Sequence, residues 1–141
     1  MTAIGSGEPH GRYLLDTNIV IALFRGETGV VAALRTAVAV FVPAVVLGEL
    51  YFGARKSVQS TANLARIAEF ADEAAVLPSD AGTAGFYGET KAQVRRHGRP
   101  IPENDLWIAA LARQHQLTLA TRDIHFNDVA AVDLVRWQPE S

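Results

Sequence analysis

Between Tyr13 and Trp137 the chain alternates short, wholly apolar runs with longer stretches of helical periodicity, and that alternation leaves few folds open. "YLLD" (13–16), "VFVP" (40–43), "VLPSD" (76–80), "LTLAT" (117–121) and "DLVRW" (133–137) read as strands or strand ends. Between them, 17–26, 28–39, 44–56, 59–75, 81–98 and the stretch that follows "RPIP" at 99–102 read as helices. Gly26 and Gly98 suit helix ends, and Asp80 suits a helix start. "RDIHFNDVA" (122–130) reads as a loop or a short helical turn. Parallel neighbours in a sheet need crossover connections, and here the crossovers are helices. The expected fold is therefore α/β: a single-domain α/β/α sandwich with a mainly parallel central sheet.

A chain of 141 residues with 49% hydrophobic content is long enough to bury one substantial core. Residues 1–11 hold Gly5, Gly7, Pro9 and Gly11 without periodicity and read as a mobile tail, leaving 12–138 as the folded domain. The longest apolar run, "VAVFVPAVVLG", is too short to span a bilayer and is broken by Pro43, so the expectation is a cytoplasmic protein with no membrane partner. The absence of cysteine rules out disulfides, thiolate nucleophiles and thiolate metal sites. A net charge of −2 means that a nucleic acid would have to be met by a local basic patch or a metal ion.

Four carboxylates stand beside core-like sequence: Asp16 at the end of "YLLD", Glu49 within "VVLGELYF", Asp105 opening "DLWIAALA", and Asp123 just beyond "LTLATR". Capping alone could account for Asp16, and Asn104 or Asp105 is a natural N-cap for its helix. Glu49, in mid-helix between Leu47 and Leu50, has no cap to make and needs solvent, a partner or a metal. In a parallel sheet the ends of "YLLD" and "LTLAT" share an edge, so the four can meet in one cleft. Each close pair would then repel by about 4 kcal/mol at an effective dielectric of 20, against a total stability of roughly 7 to 20 kcal/mol at this length. Such a cluster needs a cation. Arg25 and Arg122 are near in sequence, but an all-oxygen site suits Mg²⁺ or Mn²⁺ better. His10, His97, His115 and His125 show no paired metal-ligand spacing, which argues against zinc, and His115 reads as solvated. An acidic site of this kind is suited to hydrolysing a phosphodiester.

The four stretches "YLLDTNIVI", "PAVVLGELYFGA", "GRPIPENDLWIAALA" and "LTLATRDIHFNDV", in this order, resemble the four acidic motifs of PIN-domain nucleases of the VapC toxin type. The resemblance covers Arg12 to Trp137. It implies a Mg²⁺-dependent endoribonuclease, with Mn²⁺ able to substitute, in which Asp16, Glu49, Asp105 and Asp123 form the catalytic metal site. It also implies that Asn18 and Thr121 support them, that a cognate VapB-type antitoxin neutralises the enzyme, and that it assembles as a homodimer. Asp128 in "FNDV" competes with Asp123 for the fourth acidic place, and Glu103 and Asn104 crowd the third motif. The tail before "YLLD" departs from the family's pattern.

Arg95, Arg96, His97 and Arg99 form the densest basic patch, with Arg55 and Lys56 a second. They suit RNA phosphates, although cations at a helix C-terminus also complement its dipole. Trp107 reads as core ahead of base stacking, since it is spaced i, i+4 from Leu111. Tyr51, Phe52 and "LARIAEFADEAA" could supply a dimer or antitoxin surface. Two alternatives compete: a degenerate PIN-like module that binds or regulates without turnover, and a phospho-acceptor receiver-like domain. The latter requires a lysine after the final strand, where "DLVRWQPES" has none.

Overall fold

A computed structural model describes residues 11–139, so the expected N-terminal tail lies outside the described residues except for Gly11. Five strands alternate with six helices: β1 (Arg12–Leu15), α1 (Thr17–Phe24), α2 (Thr28–Arg35), β2 (Ala39–Pro43), α3 (Ala44–Arg55), α4 (Ser60–Glu73), β3 (Ala75–Leu77), α5 (Ala81–Arg96), α6 (Glu103–His115), β4 (Thr118–Ala120) and β5 (Leu134–Val135), with a 3₁₀ turn at Ile124–Asp128. All strand pairs are parallel, in the order β3-β2-β1-β4-β5, and helices flank the sheet as the strand–helix alternation requires.

β1 lies at the centre because it is apolar on both faces: Leu14 and Leu15 are fully buried and Tyr13 nearly so. Leu119 and Ala120 of β4 are buried in the same way. The chain leaves β1 for β2 and β3 on one side, then returns to place β4 and β5 on the other. β1 and β4 therefore flank the point where strand order reverses, and their C-terminal ends open a crevice there. The helices are tied to this frame by Ile19, Val20, Val46, Leu50, Ile108 and Leu111, each worth about 1.5–3 kcal/mol if fully buried.

Three local expectations are corrected. The second helix stops at Arg35, because the Val38 and Ala39 amides donate to the Gly11 carbonyl (2.7 and 3.1 Å) and so start β2. The last strand shrinks to Leu134–Val135, since Trp137 takes up a positive φ of 44° and leaves the ladder. The N-cap of α6 is neither Asn104 nor Asp105: Pro102 holds that place with no side-chain bond, which puts both residues inside the first turn. Asp80 does cap α5, in a reciprocal capping box with Thr83. Trp107 stacks on Tyr87 with ring centroids 4.2 Å apart, fastening α6 to α5. No single helix among the described residues is long and apolar enough to cross a membrane.

Candidate active site

Asp16 follows the last residue of β1 and is 4% exposed. It caps α1, accepting from the Thr17 amide at 2.8 Å, so the capping role exists. Its other oxygen is directed elsewhere: Oδ2 accepts from Thr121 Oγ1 at 2.6 Å and from Asn18 Nδ2 at 3.4 Å. Asn18 also accepts the Arg122 amide through Oδ1 at 3.1 Å, so it ties the ends of β1 and β4 together. Thr121 and Asn18, the two residues expected as supports, both donate to Asp16.

Glu49 comes from the middle of α3, half-buried, with the Thr17 and Asn104 side chains beside it. Asp105 projects from the first turn of α6, and its side chain is 13% exposed. Asp123 follows β4 as the N-cap of the 3₁₀ turn and accepts from the His125 amide at 2.9 Å. These elements begin at the C-terminal ends of the central strands or, for α6, pack against them, and charge links the acids: Asp123 acts on Asp16, Asp16 on Glu49, and both Asp16 and Asp123 on Asp105.

Burial raises the pKa of Asp16, an effect only partly offset by Thr121, Thr17 and Asn18 and reinforced by Asp123. Burial and then the Asp16 charge raise Glu49. Burial, then Asp16, pushes Asp105 up to about 6. Three carboxyls raised above their ordinary range, first by burial and then by neighbouring carboxylates, mark the crevice as an acidic cluster.

The donor set fits a hard divalent cation: it is dominated by carboxylate oxygens and partly open to water. A further sign is Thr17 Oγ1, buried and without a hydrogen-bond partner. Its closeness to Glu49 lowers that carboxyl's pKa, against the rise that burial causes. A histidine also stands beside the acids: His125 Nδ1 lies 3.0 Å from Asp123 Oδ1 and 3.2 Å from Asp105 Oδ2.

Other candidates fall outside the cluster. Asp128 ends the 3₁₀ turn and faces Arg99 at 3.7 Å, so Asp123, not Asp128, stands with the other acids. Glu103 is held by Lys91 and Tyr87 across α5. Arg122 does not neutralise the acids; it grips Glu27 at 2.7 Å and donates Nε to the Trp137 carbonyl at 3.1 Å. Arg95, Arg96 and Arg99 are exposed at the C-terminal end of α5 and in the loop leading to Asp105. His115, expected to be solvated, is half-buried. Phe52 is exposed, with Lys56 Nζ 4.4 Å above its ring, whereas Tyr51 packs partly against the core.

The sequence profile of the PIN domain matches residues 13–132. The chain belongs to the PIN-domain family. Among curated relatives of this PIN domain, the protein named ribonuclease VapC2 from Haemophilus influenzae is 33% identical over 129 residues, covering 89% of this chain and 98% of the relative. The tRNA(fMet)-specific endonuclease VapC of Shigella flexneri is also 33% identical, with the same coverage. Among solved structures, VapBC2 from Rickettsia felis bound to a promoter DNA fragment superposes with a TM-score of 0.83 at 27% identity, covering 89% of this chain and 98% of the matched one. PIN membership replaces the phospho-acceptor alternative.

Proposed function

We propose that this PIN domain is a divalent-metal-dependent endoribonuclease toxin of the VapC type, using Mg²⁺ with Mn²⁺ as a substitute and hydrolysing RNA phosphodiester bonds. The observation that carries this reading is the meeting of Asp16, Glu49, Asp105 and Asp123, drawn from four separate segments, with three of them held above the ordinary carboxylate range. Asp16, Glu49, Asp105 and Asp123 would hold a divalent ion, which would supply an activated water and charge compensation at the phosphate.

The chain's own residues do the rest. Asp16 is held in one orientation by Thr121, Thr17 and Asn18, so it needs no reordering during reaction. Glu49 and Asp105 approach from two helices and set the walls of the crevice. Arg95, Arg96 and Arg99, one loop away from Asp105, are placed to meet RNA phosphates without reading sequence.

The relatives named VapC, and the VapBC complexes among the solved structures, support a VapB-type antitoxin as the neutralising partner. We further propose a homodimer acting in the cytoplasm.

The test is cleavage of structured RNA by purified protein with Mg²⁺, with Mn²⁺ and with chelator, alongside Asp16→Asn and Asp105→Asn. Wild type should cut only with metal, and each variant should lose at least 100-fold. Cleavage that survives chelation, or that both variants retain, defeats the proposal.

A further inference from the structure

The acidic crevice contains one nitrogen that its sequence pattern did not announce. His125 Nδ1 sits between carboxylate oxygens of two different elements, 3.0 Å from Asp123 Oδ1 and 3.2 Å from Asp105 Oδ2, and the three potential ligand atoms all lie within 4.8 Å of one another. Building on the metal-nuclease reading above, we propose that His125 binds the divalent ion through Nδ1, making the site a mixed nitrogen and oxygen one that favours transition ions such as Mn²⁺ over Mg²⁺.

Spacing is the first argument. Ligands about 2.1 Å from an octahedral ion are separated by about 3.0 Å along an edge and about 4.2 Å across it. The two distances from Nδ1 match edges, and the third pair of ligand atoms lies within 4.8 Å.

Hydrogen-bonding capacity is the second. Nδ1 carries at most one hydrogen, which cannot align well with two carboxylates reaching it from α6 and from the end of β4. A cation shared by all three satisfies them together.

Local structure is the third. The His125 amide donates to Asp123 Oδ1 at 2.9 Å, which fixes the turn from residue 123 to 125 and brings the ring back over the acids. With Nδ1 as ligand the ring proton sits on Nε2. The side chain is 45% exposed, so water can accept it.

An imidazole in place of one oxygen ligand weakens a site's preference for Mg²⁺, which demands hard oxygen donors, and raises its affinity for later ions. Wild type should therefore bind Mn²⁺ at least tenfold more tightly than Mg²⁺, and His125→Gln should narrow that ratio severalfold.

The deciding experiment is pulsed electron paramagnetic resonance of Mn²⁺ bound to the full-length, untagged protein, prepared with ¹⁴N- or ¹⁵N-histidine. The expected result is a histidine-nitrogen coupling in wild type that changes with the isotope and is absent from His125→Gln and His125→Ala, while both variants still bind Mn²⁺. Bound Mn²⁺ without the coupling, or a coupling that persists in both variants, overturns the assignment of His125 and leaves the acidic site standing. Failure of wild type to bind Mn²⁺ any better than Asp105→Asn overturns both.

Discussion

The hydroxyl of Thr121 donates to Asp16 Oδ2 across 2.6 Å and accepts the Asp123 amide at 3.0 Å, so one buried side chain couples two of the four acids. Thr121→Val keeps the shape and removes both bonds. It should cost about 1–3 kcal/mol of stability and reduce RNA cleavage at least tenfold, whereas Thr121→Ser should restore most of both. Thermal melts and initial cleavage rates test this; a Val variant that melts with wild type would show that the bond contributes nothing.

The metal-free protein should lose stability as pH rises through the range where Asp105 ionises. Its folded pKa of about 6 stands above the ordinary 3.8, so between those values the native state holds more protons than the unfolded one. The favourable contribution is fully present below about pH 4 and gone above about pH 6, and amounts to at most about 3 kcal/mol. Asp16 and Glu49 are shifted in the same direction. Urea unfolding in chelator, compared between wild type and Asp105→Asn from pH 4.5 to 7.5, should show the variant gaining relative stability toward neutral pH. A difference that stays flat across the window would contradict the raised pKa.

Asp123 and Asp128 are five residues apart and should behave differently. Metal at 100 times its Kd should stabilise wild type by about 2.7 kcal/mol. Asp123→Asn should abolish that gain, and Asp128→Asn, which loses only the contact with Arg99, should keep it. Melting curves with and without Mn²⁺ decide the matter, and the reverse pattern would reassign the fourth acid.

Arg122 is expected to matter for folding more than for chemistry. Its guanidinium bonds both oxygens of Glu27 and the Trp137 carbonyl, while its amide, which any residue keeps, serves Asn18. Arg122→Ala should lower Tm by about 5 °C, and Arg122→Lys should not restore it, because an ammonium cannot reproduce the fork. Mn²⁺ affinity should change less than threefold. Calorimetry of the three proteins would reveal a Lys variant indistinguishable from wild type, the outcome that rejects the fork.

What was legible in the sequence follows from how local each signal is. β1 and β4 could be read because strands buried on both faces are continuous apolar runs, and Asp80 because a cap and its partner lie three residues apart. The boundary of β2 could not, since it depends on the Gly11 carbonyl, 28 positions from Ala39. Asp16, Glu49, Asp105 and Asp123 stood out as charges set into apolar surroundings. His125 did not: one of its partners, Asp105, is 20 positions away, and a single histidine in a polar turn has no periodicity. Arg122 was visible as a cation, but its grip on Glu27 and the chain end belongs to tertiary structure alone.

The placement of β4 beside β1 has a consequence for how such a chain is made. Asp16 leaves the ribosome well before the hydroxyl that orients it and the acid that faces it, which stand more than a hundred residues later, at positions 121 and 123. Until that segment has emerged, a nascent polypeptide carries the early acids without the framework that aligns them. The alignment of the early acids is therefore a late event in synthesis, set by the emergence of β4 and not by that of β1.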